Sequence, residues 1–234
     1  MFSIHLLFDL LAYGLGAFLS WRVFSPPKPY IGNENIRYAY YTVALTGAFL
    51  GAFVLGTLNT YYSLYPHAHA LVIGKSILGA IAGATLFIEV FKKIMQLPTS
   101  STGAYFVPSL AIGIVIGRVG CFLSGLDDYT YGVETRFVLG YDFGDGIARH
   151  PVQLYESLSM ALFFIYTLWL YTNKRDYFEE FIFYQFILIY TVQRFVWEFL
   201  KPYEPIIWRL NVFQIVCVIL ILYALYKIKR TKEQ

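Results

Sequence analysis

Charged residues interrupt the apolar stretches of this chain at a few positions, and these residues could do chemistry. Arg118 lies near the end of one apolar stretch, and Arg194 lies inside another. Arginine presents a planar fork of donors that matches phosphate oxygens, and it stays charged in apolar surroundings. Two arginines reaching one depth from different segments therefore predict an anion between them. The alternative is that Arg118 pairs with Glu156 or Glu198 and only holds helices together.

A second group of polar residues stands where another apolar stretch begins. His150 directly precedes Pro151, which favours a helix start at this point. A neutral imidazole there could take a proton from a thiol, which reacts as its thiolate. The alternative is that His150 only braces the start of the helix. Gln153 and Glu156 are three residues apart and therefore share one face of that helix, while Lys75 is interpreted as a further cation near the anion or as the partner of an acid.

The elements that must position these residues are long apolar helices. The chain is 58% hydrophobic and 14% charged, whereas soluble domains carry about 25% charged residues. A run of about 20 apolar residues can cross a bilayer as a helix. We predict an all-α integral membrane protein, a single domain over residues 1–234 with seven transmembrane helices. The predicted spans are 4–24, 40–58, 71–91, 106–123, 152–171, 181–200 and 212–226.

Lysine and arginine in the loops set the predicted orientation. Most of them fall on one side of seven spans, and that side faces the cytoplasm by the positive-inside rule. The N-terminus is then outside, the C-terminus is cytoplasmic, and a loop at about 124–151 is external. Four charged side chains fall in the outer halves of their spans: Lys75, Arg118, Glu156 and Glu198. A phospholipid headgroup is the anion available at that depth, and no nucleic-acid partner is expected.

Three motifs carry a family resemblance. They read GRVGCF at 117–122, ARHPVQLYE at 148–156, and YTVQRFVWEFLKP at 190–202, the last followed by LNVFQIV at 210–216. With these motifs the chain resembles the prolipoprotein diacylglyceryl transferase family. Its members move a diacylglyceryl group from phosphatidylglycerol to the cysteine thiol of a lipoprotein precursor.

The resemblance implies an enzyme with two sets of site residues. The set expected to bind the phospholipid phosphate is Arg118, Arg194, Gln153 and Glu156. The expected catalytic set is His150, Lys75, Tyr190 and Glu198, with His150 as the first choice of proton acceptor. The implied partners are phosphatidylglycerol, a prolipoprotein signal peptide with its lipobox cysteine, and the lipid bilayer, and no metal or organic cofactor is implied. The implied location is the bacterial cytoplasmic (inner) membrane, as a multi-pass protein whose site faces the outer leaflet.

Three departures from the family pattern keep alternatives open. Cys121 stands where the family usually has asparagine. The segment 124–126 (Ser-Gly-Leu) replaces asparagine-glycine-glutamate, and Gly74, Lys75 and Ser76 replace a histidine-glycine-glycine segment. Cys121 and Cys217 are each interpreted as small buried hydrophobes without a disulfide. The alternatives are a divergent relative with another acceptor, a lipid or solute carrier without covalent chemistry, and a structural membrane protein.

Overall fold

The computed structural model describes residues 4–26, 31–64, 73–97 and 101–233. Within these ranges, seven α-helices follow one another along the chain. They are α1 (Ile4–Arg22), α2 (Glu34–Leu64), α3 (Ile77–Ile94), α4 (Val107–Leu123), α5 (Val152–Asn173), α6 (Arg175–Glu198) and α7 (Val212–Lys232). Short 3-10 helices flank α4, at Ala104–Phe106 and Gly125–Asp128. Two short strands, β1 (Tyr141–Asp142) and β2 (Ala148–Arg149), pair antiparallel in the loop before α5.

The all-α prediction is confirmed for the described residues. Five helices, α1, α2, α4, α5 and α7, are long and apolar enough to cross a membrane. In the remaining two helices charged residues interrupt the apolar run, because Glu89, Lys92 and Lys93 lie within the 18 residues of α3 and both ends of α6 are ionic. The count of seven spans and the orientation of the termini stay predictions.

The chain divides into two compact units. The first unit contains the described residues up to Ser25 and the segment Gly103–Pro202, and in it α4 packs against both α1 and α5, while α5 also packs against α6. The second unit contains the described residues of Pro26–Thr102 and those from Tyr203 onward, and in it α2 packs along α3 and both contact α7. The expectation of a single domain stays a prediction.

In the second unit, glycines let the backbones of α2 and α3 touch. A Cβ atom added at Gly51 would lie 2.2 Å from the carbonyl oxygen of Gly79, and one added at Gly83 would lie 2.1 Å from that of Gly47. Small residues allow this close approach between helices in membranes. Between helices of the first unit, Gly120 on α4 allows a similar approach, because a Cβ there would lie 2.4 Å from the Cβ of Phe8 on α1.

The start of α3 differs from the prediction. The helix begins at Ile77, and the Ser76 hydroxyl caps it by accepting a hydrogen bond from the Gly79 backbone N–H at 3.2 Å. Serine is a favoured N-cap residue, and an apolar run alone does not reveal that stop. Residues 73–76 are not helical, so the placement of Lys75 inside a span is wrong.

The first unit brings three helix ends to one level. Arg118 and Arg194 lie about one turn before the ends of α4 and α6, and Glu156 lies one turn after the start of α5. The loop before α5 is tied to the chain that leaves α6, because the Val133 backbone N–H donates to the Leu200 carbonyl at 2.7 Å. This arrangement fixes the segment after α6 over the same helix ends.

Candidate active site

Glu156 is the centre of a buried ionic cluster. Its Oε2 lies 2.5 Å from Nε of Arg118, and its Oε1 accepts from Nη1 of Arg194 at 2.8 Å. The ammonium of Lys201 donates to the same Oε1 at 2.7 Å. One carboxylate on α5 is therefore held by cations from α4, from α6 and from the segment that follows α6.

Glu198 completes this cluster from the last turn of α6. Its Oε1 lies 2.8 Å from Nη2 of Arg194 and 3.5 Å from Nζ of Lys201. All five side chains are at most 8% exposed. Three cations face two carboxylates, so the ionised cluster carries one positive charge more than its own acids balance. Buried charge is costly unless it is paired, and this surplus favours an anionic ligand.

Gln153 lies one turn before Glu156 on α5 and is fully buried. Neither its amide nitrogen nor its amide oxygen has a hydrogen-bond partner within the part of the chain that the structure describes. Buried amides are almost always hydrogen-bonded, so an unsatisfied one needs a physical reason. A polar ligand beside Glu156 would supply that reason.

Tyr190 lies one turn before Arg194 on α6. It is 2% exposed, and its ring stacks on Phe186 with centroids 6.0 Å apart. The phenol lies close enough to Arg118 for the two groups to interact electrostatically. Tyr190 therefore belongs to the same buried region as the ionic cluster.

His150 and Lys75 are placed differently. The His150 ring lies beside Tyr155, with 3.3 Å between Nδ1 and the phenol oxygen, and its backbone N–H donates to the Val133 carbonyl. The Tyr155 ring in turn packs against Trp197 of α6. Lys75 belongs to the second unit, where its exposed side chain lies 5.7 Å from the centroid of the Phe53 ring. The structure thus joins four of the expected site residues in one ionic cluster, and catalytic roles for His150 and Lys75 stay predictions.

The comparison with known proteins decides the family. A family model described as prolipoprotein diacylglyceryl transferase matches residues 4–229. The chain belongs to the prolipoprotein diacylglyceryl transferase family. Curated relatives named phosphatidylglycerol–prolipoprotein diacylglyceryl transferase include one from Clostridium tetani, which is 28% identical over 213 residues and 83% of each chain. One from Dehalococcoides mccartyi strain BAV1 is 25% identical over 240 residues, covering 96% of this chain and 89% of the relative.

As a member of a prolipoprotein diacylglyceryl transferase family, the chain is a transferase and a multi-pass bacterial membrane protein. The resemblance predicted from the three motifs is confirmed. The family match extends over both compact units and includes all five residues of the ionic cluster.

Lys201 is the residue of this transferase's cluster that the sequence analysis missed. The predicted sixth span, 181–200, ends one residue before it, which places Lys201 in a loop. The available signal was its spacing, three residues after Glu198 at the end of an apolar run. Burial lowers the pKa of the Lys201 ammonium, the charge of Arg194 lowers it further, and Glu156 acts in the opposite direction.

Proposed function

We propose that the protein transfers a diacylglyceryl group from phosphatidylglycerol to the lipobox cysteine of a prolipoprotein. The observation that carries the proposal is the buried ionic cluster, in which three cations meet on Glu156 and, among the residues that the structure describes, Glu198 is the second carboxylate. A phosphodiester carries one negative charge and would balance that surplus. The curated relatives carry the name of this activity.

In the proposed complex, Arg118 and Arg194 donate to the lipid phosphate. Each guanidinium has five N–H donors, and the contacts with carboxylates use only part of that capacity. Gln153 adds an amide donor for a phosphate oxygen and an acceptor for a hydroxyl of the glycerol headgroup. The two guanidinium groups are already oriented by Glu156 and Glu198, so they need little reorganisation when the lipid binds.

The proposed reaction is a displacement at the glycerol carbon that bears the phosphate. The cysteine thiol gives its proton to a base, for which His150 is the first choice, and the thiolate sulfur forms a bond to that carbon. The carbon–oxygen bond to the phosphate breaks, and glycerol phosphate leaves with the bonding electrons. Arg118 and Arg194 stabilise the charge that grows on the leaving phosphate, and Tyr190 borders this region as a further donor.

We further propose that seven helices span the bacterial inner membrane, with the N-terminus outside and the C-terminus in the cytoplasm. In this orientation the ends of α4 and α6 and the start of α5 lie toward the outer leaflet. That placement would admit a phospholipid from the outer leaflet and a signal peptide whose lipobox cysteine reaches the same depth. The distribution of basic residues supports this orientation.

The test is a transfer assay with the full chain in phosphatidylglycerol nanodiscs and a synthetic lipobox peptide. The expected product is the peptide with one diacylglyceryl group in a thioether, which mass spectrometry detects and neutral hydroxylamine does not cleave. A peptide with serine in place of the cysteine is the matched control and should gain nothing. Absence of the thioether product, with a relative from the same family active in parallel, would refute the transfer.

A further inference from the structure

A second group of reactive side chains lies where α1 packs against α4, and the proposed transfer does not use it. On α1, Nδ1 of His5 lies 3.0 Å from Oδ2 of Asp9. Nε2 of the same imidazole lies 3.8 Å from Sγ of Cys121 on α4. Thiol, imidazole and carboxylate thus stand in a row, with the carboxylate at Nδ1 and the sulfur at Nε2.

This order fixes the function that each group can perform. A carboxylate only accepts, so the Asp9 contact favours the imidazole tautomer with its proton on Nδ1. Nε2 then carries a lone pair that faces the thiol of Cys121. A nucleophile beside a base that a third group orients is the general arrangement of nucleophilic catalysis. Cys121 forms no disulfide, and the residue is 9% exposed.

A metal site does not explain the group. Among the residues that the structure describes, no three His, Cys, Asp or Glu side chains converge in the way metal ligands do. The buried-hydrophobe interpretation of Cys121 does not explain it either, because that interpretation requires no imidazole at the sulfur. Both cysteines are buried, Cys121 at 9% exposed and Cys217 on α7 at 0%, so Cys217 serves as the comparison within the same chain.

The surroundings indicate which electrophile could reach the sulfur. Arg118 precedes Cys121 by three residues on α4, close enough for the two groups to interact electrostatically. The α1 side chains around His5 and Asp9 are exposed leucines that suit contact with acyl chains: Leu6, Leu7, Leu10 and Leu11. A diacyl phospholipid held at Arg118 has two ester carbonyls next to its phosphate.

We propose that Cys121 is an acyl-accepting nucleophile, activated by His5, with Asp9 as a positioning residue. The thiol proton passes to Nε2 of His5, and the thiolate sulfur attacks the carbonyl carbon of a glycerophospholipid ester. The bond between that carbon and the glycerol oxygen breaks, and the departing alkoxide takes the proton back from the imidazolium. The products are an S-acyl thioester on Cys121 and a lysophospholipid. The choice of phospholipid as the acyl donor rests on the proposed function.

The experiment uses the full chain in nanodiscs of phosphatidylglycerol whose acyl chains carry an alkyne label. The expected result is one labelled acyl chain on the peptide that contains Cys121, removed by neutral hydroxylamine. Cys121→Ser should abolish this label, and Cys217→Ser should leave it unchanged. His5→Gln should slow labelling by about 100-fold, the low end of what a positioned base contributes.

A conservative variant distinguishes a positioning role for Asp9 from a role in protein stability alone. Asp9→Leu should slow both acyl labelling and iodoacetamide alkylation of Cys121, and Asp9→Glu should restore both rates at an unchanged melting temperature. Because hydroxylamine cleaves a thioester but not a thioether, one sample tests both proposals separately. A thioester without the thioether product supports this inference against the proposed function. No hydroxylamine-sensitive label, or equal labelling of Cys121 and Cys217, overturns the inference whether or not the thioether forms.

Discussion

Each unit of the molecule contains a carboxylate held by more than one cation, and the two clusters differ in burial and in composition. In the first unit, Glu156 is 3% exposed and binds two arginines and a lysine. In the second unit, Glu89 is 30% exposed and its ion pairs are with lysines, with Nζ of Lys227 at 2.6 Å and Nζ of Lys92 at 3.4 Å. In both clusters the named cations outnumber the named carboxylates, so the surplus of positive charge does not distinguish them.

The difference teaches which features point to a ligand. A carboxylate that water can reach is screened, and ion pairs of that kind contribute little. The Glu156 cluster lacks that screening and uses arginines, whose remaining donors can serve a second anion. It also lies one turn from the unsatisfied amide of Gln153. Burial, arginine and an unsatisfied neighbour together distinguish a binding site from an ion pair at a helix end.

The largest expected difference between the two clusters is in stability. Glu156→Gln removes the carboxylate that balances three buried cations, and we expect it to lower the free energy of unfolding by about 3–5 kcal/mol. Glu89→Gln should cost only about 0.2–1 kcal/mol, because solvent screens that pair. Thermal unfolding in a single detergent measures both variants. Equal losses of unfolding free energy in the two variants would contradict the proposed difference between the two clusters.

The next expected effect is on catalysis. Arg118→Ala and Arg194→Ala should each lower kcat by about 100- to 1000-fold, because each removes a donor from the leaving phosphate. Arg37→Ala is the matched control, since Arg37 pairs with Glu34 at 3.3 Å on the partly exposed start of α2. The transfer assay with the lipobox peptide measures all three. Full activity of the Arg118 and Arg194 variants would assign these residues to structure alone.

A smaller effect on stability tests the close contact between α2 and α3 in the second unit. Gly51→Ala would place a Cβ against the Gly79 carbonyl, and we expect this overpacking to cost about 1–3 kcal/mol. Gly14→Ala is the control, because no heavy atom lies within 4 Å of a Cβ at Gly14. Alanine there should stabilise α1 slightly, since glycine is the poorer helix former. The melting temperatures of the two variants should move in opposite directions.

The smallest expected effect is a pH dependence. The pKa of Lys201 is lowered in the lipid-free protein, and a bound phosphate would raise it again. Phosphatidylglycerol affinity should therefore be constant at low pH and should decrease, by at most about tenfold per pH unit, once the pH exceeds the lowered pKa. That decrease should begin below the ordinary lysine range. Lys201→Arg keeps its charge and should bind with a flat pH profile over the same range.

The sequence predicted the candidate site best where charged residues stand inside apolar runs, because burying a charge in a membrane is energetically unfavourable. Four members of the cluster could be predicted as neighbours because ionised residues rarely stand within apolar runs without a partner or a function. Lys201 could not be predicted because it follows the end of an apolar run, and the sequence does not show that the chain there folds back over the end of α6. Lys75 was predicted inside a span because a single capping serine changes the mean hydropathy of an apolar run very little.

Contacts between distant segments could not be predicted in the same way. The pairing of His5 with Cys121 joins residues 116 positions apart, and it depends on how closely α1 approaches α4 at Gly120. The glycines that join α2 and α3 carry a similarly weak signal, because glycine is common in membrane helices. One sequence was enough to predict which segments are apolar helices. Which faces of those helices contact one another could be seen only in the structure.

The central claim is that Arg118 and Arg194 hold a lipid phosphate, and lipid selectivity tests it most directly. Native mass spectrometry of the purified protein can compare its affinity for phosphatidylglycerol with that for diacylglycerol with the same acyl chains. We predict that the wild-type chain prefers phosphatidylglycerol by at least about tenfold, and that Arg118→Ala combined with Arg194→Ala removes this preference. A preference that survives in the double variant would contradict the account.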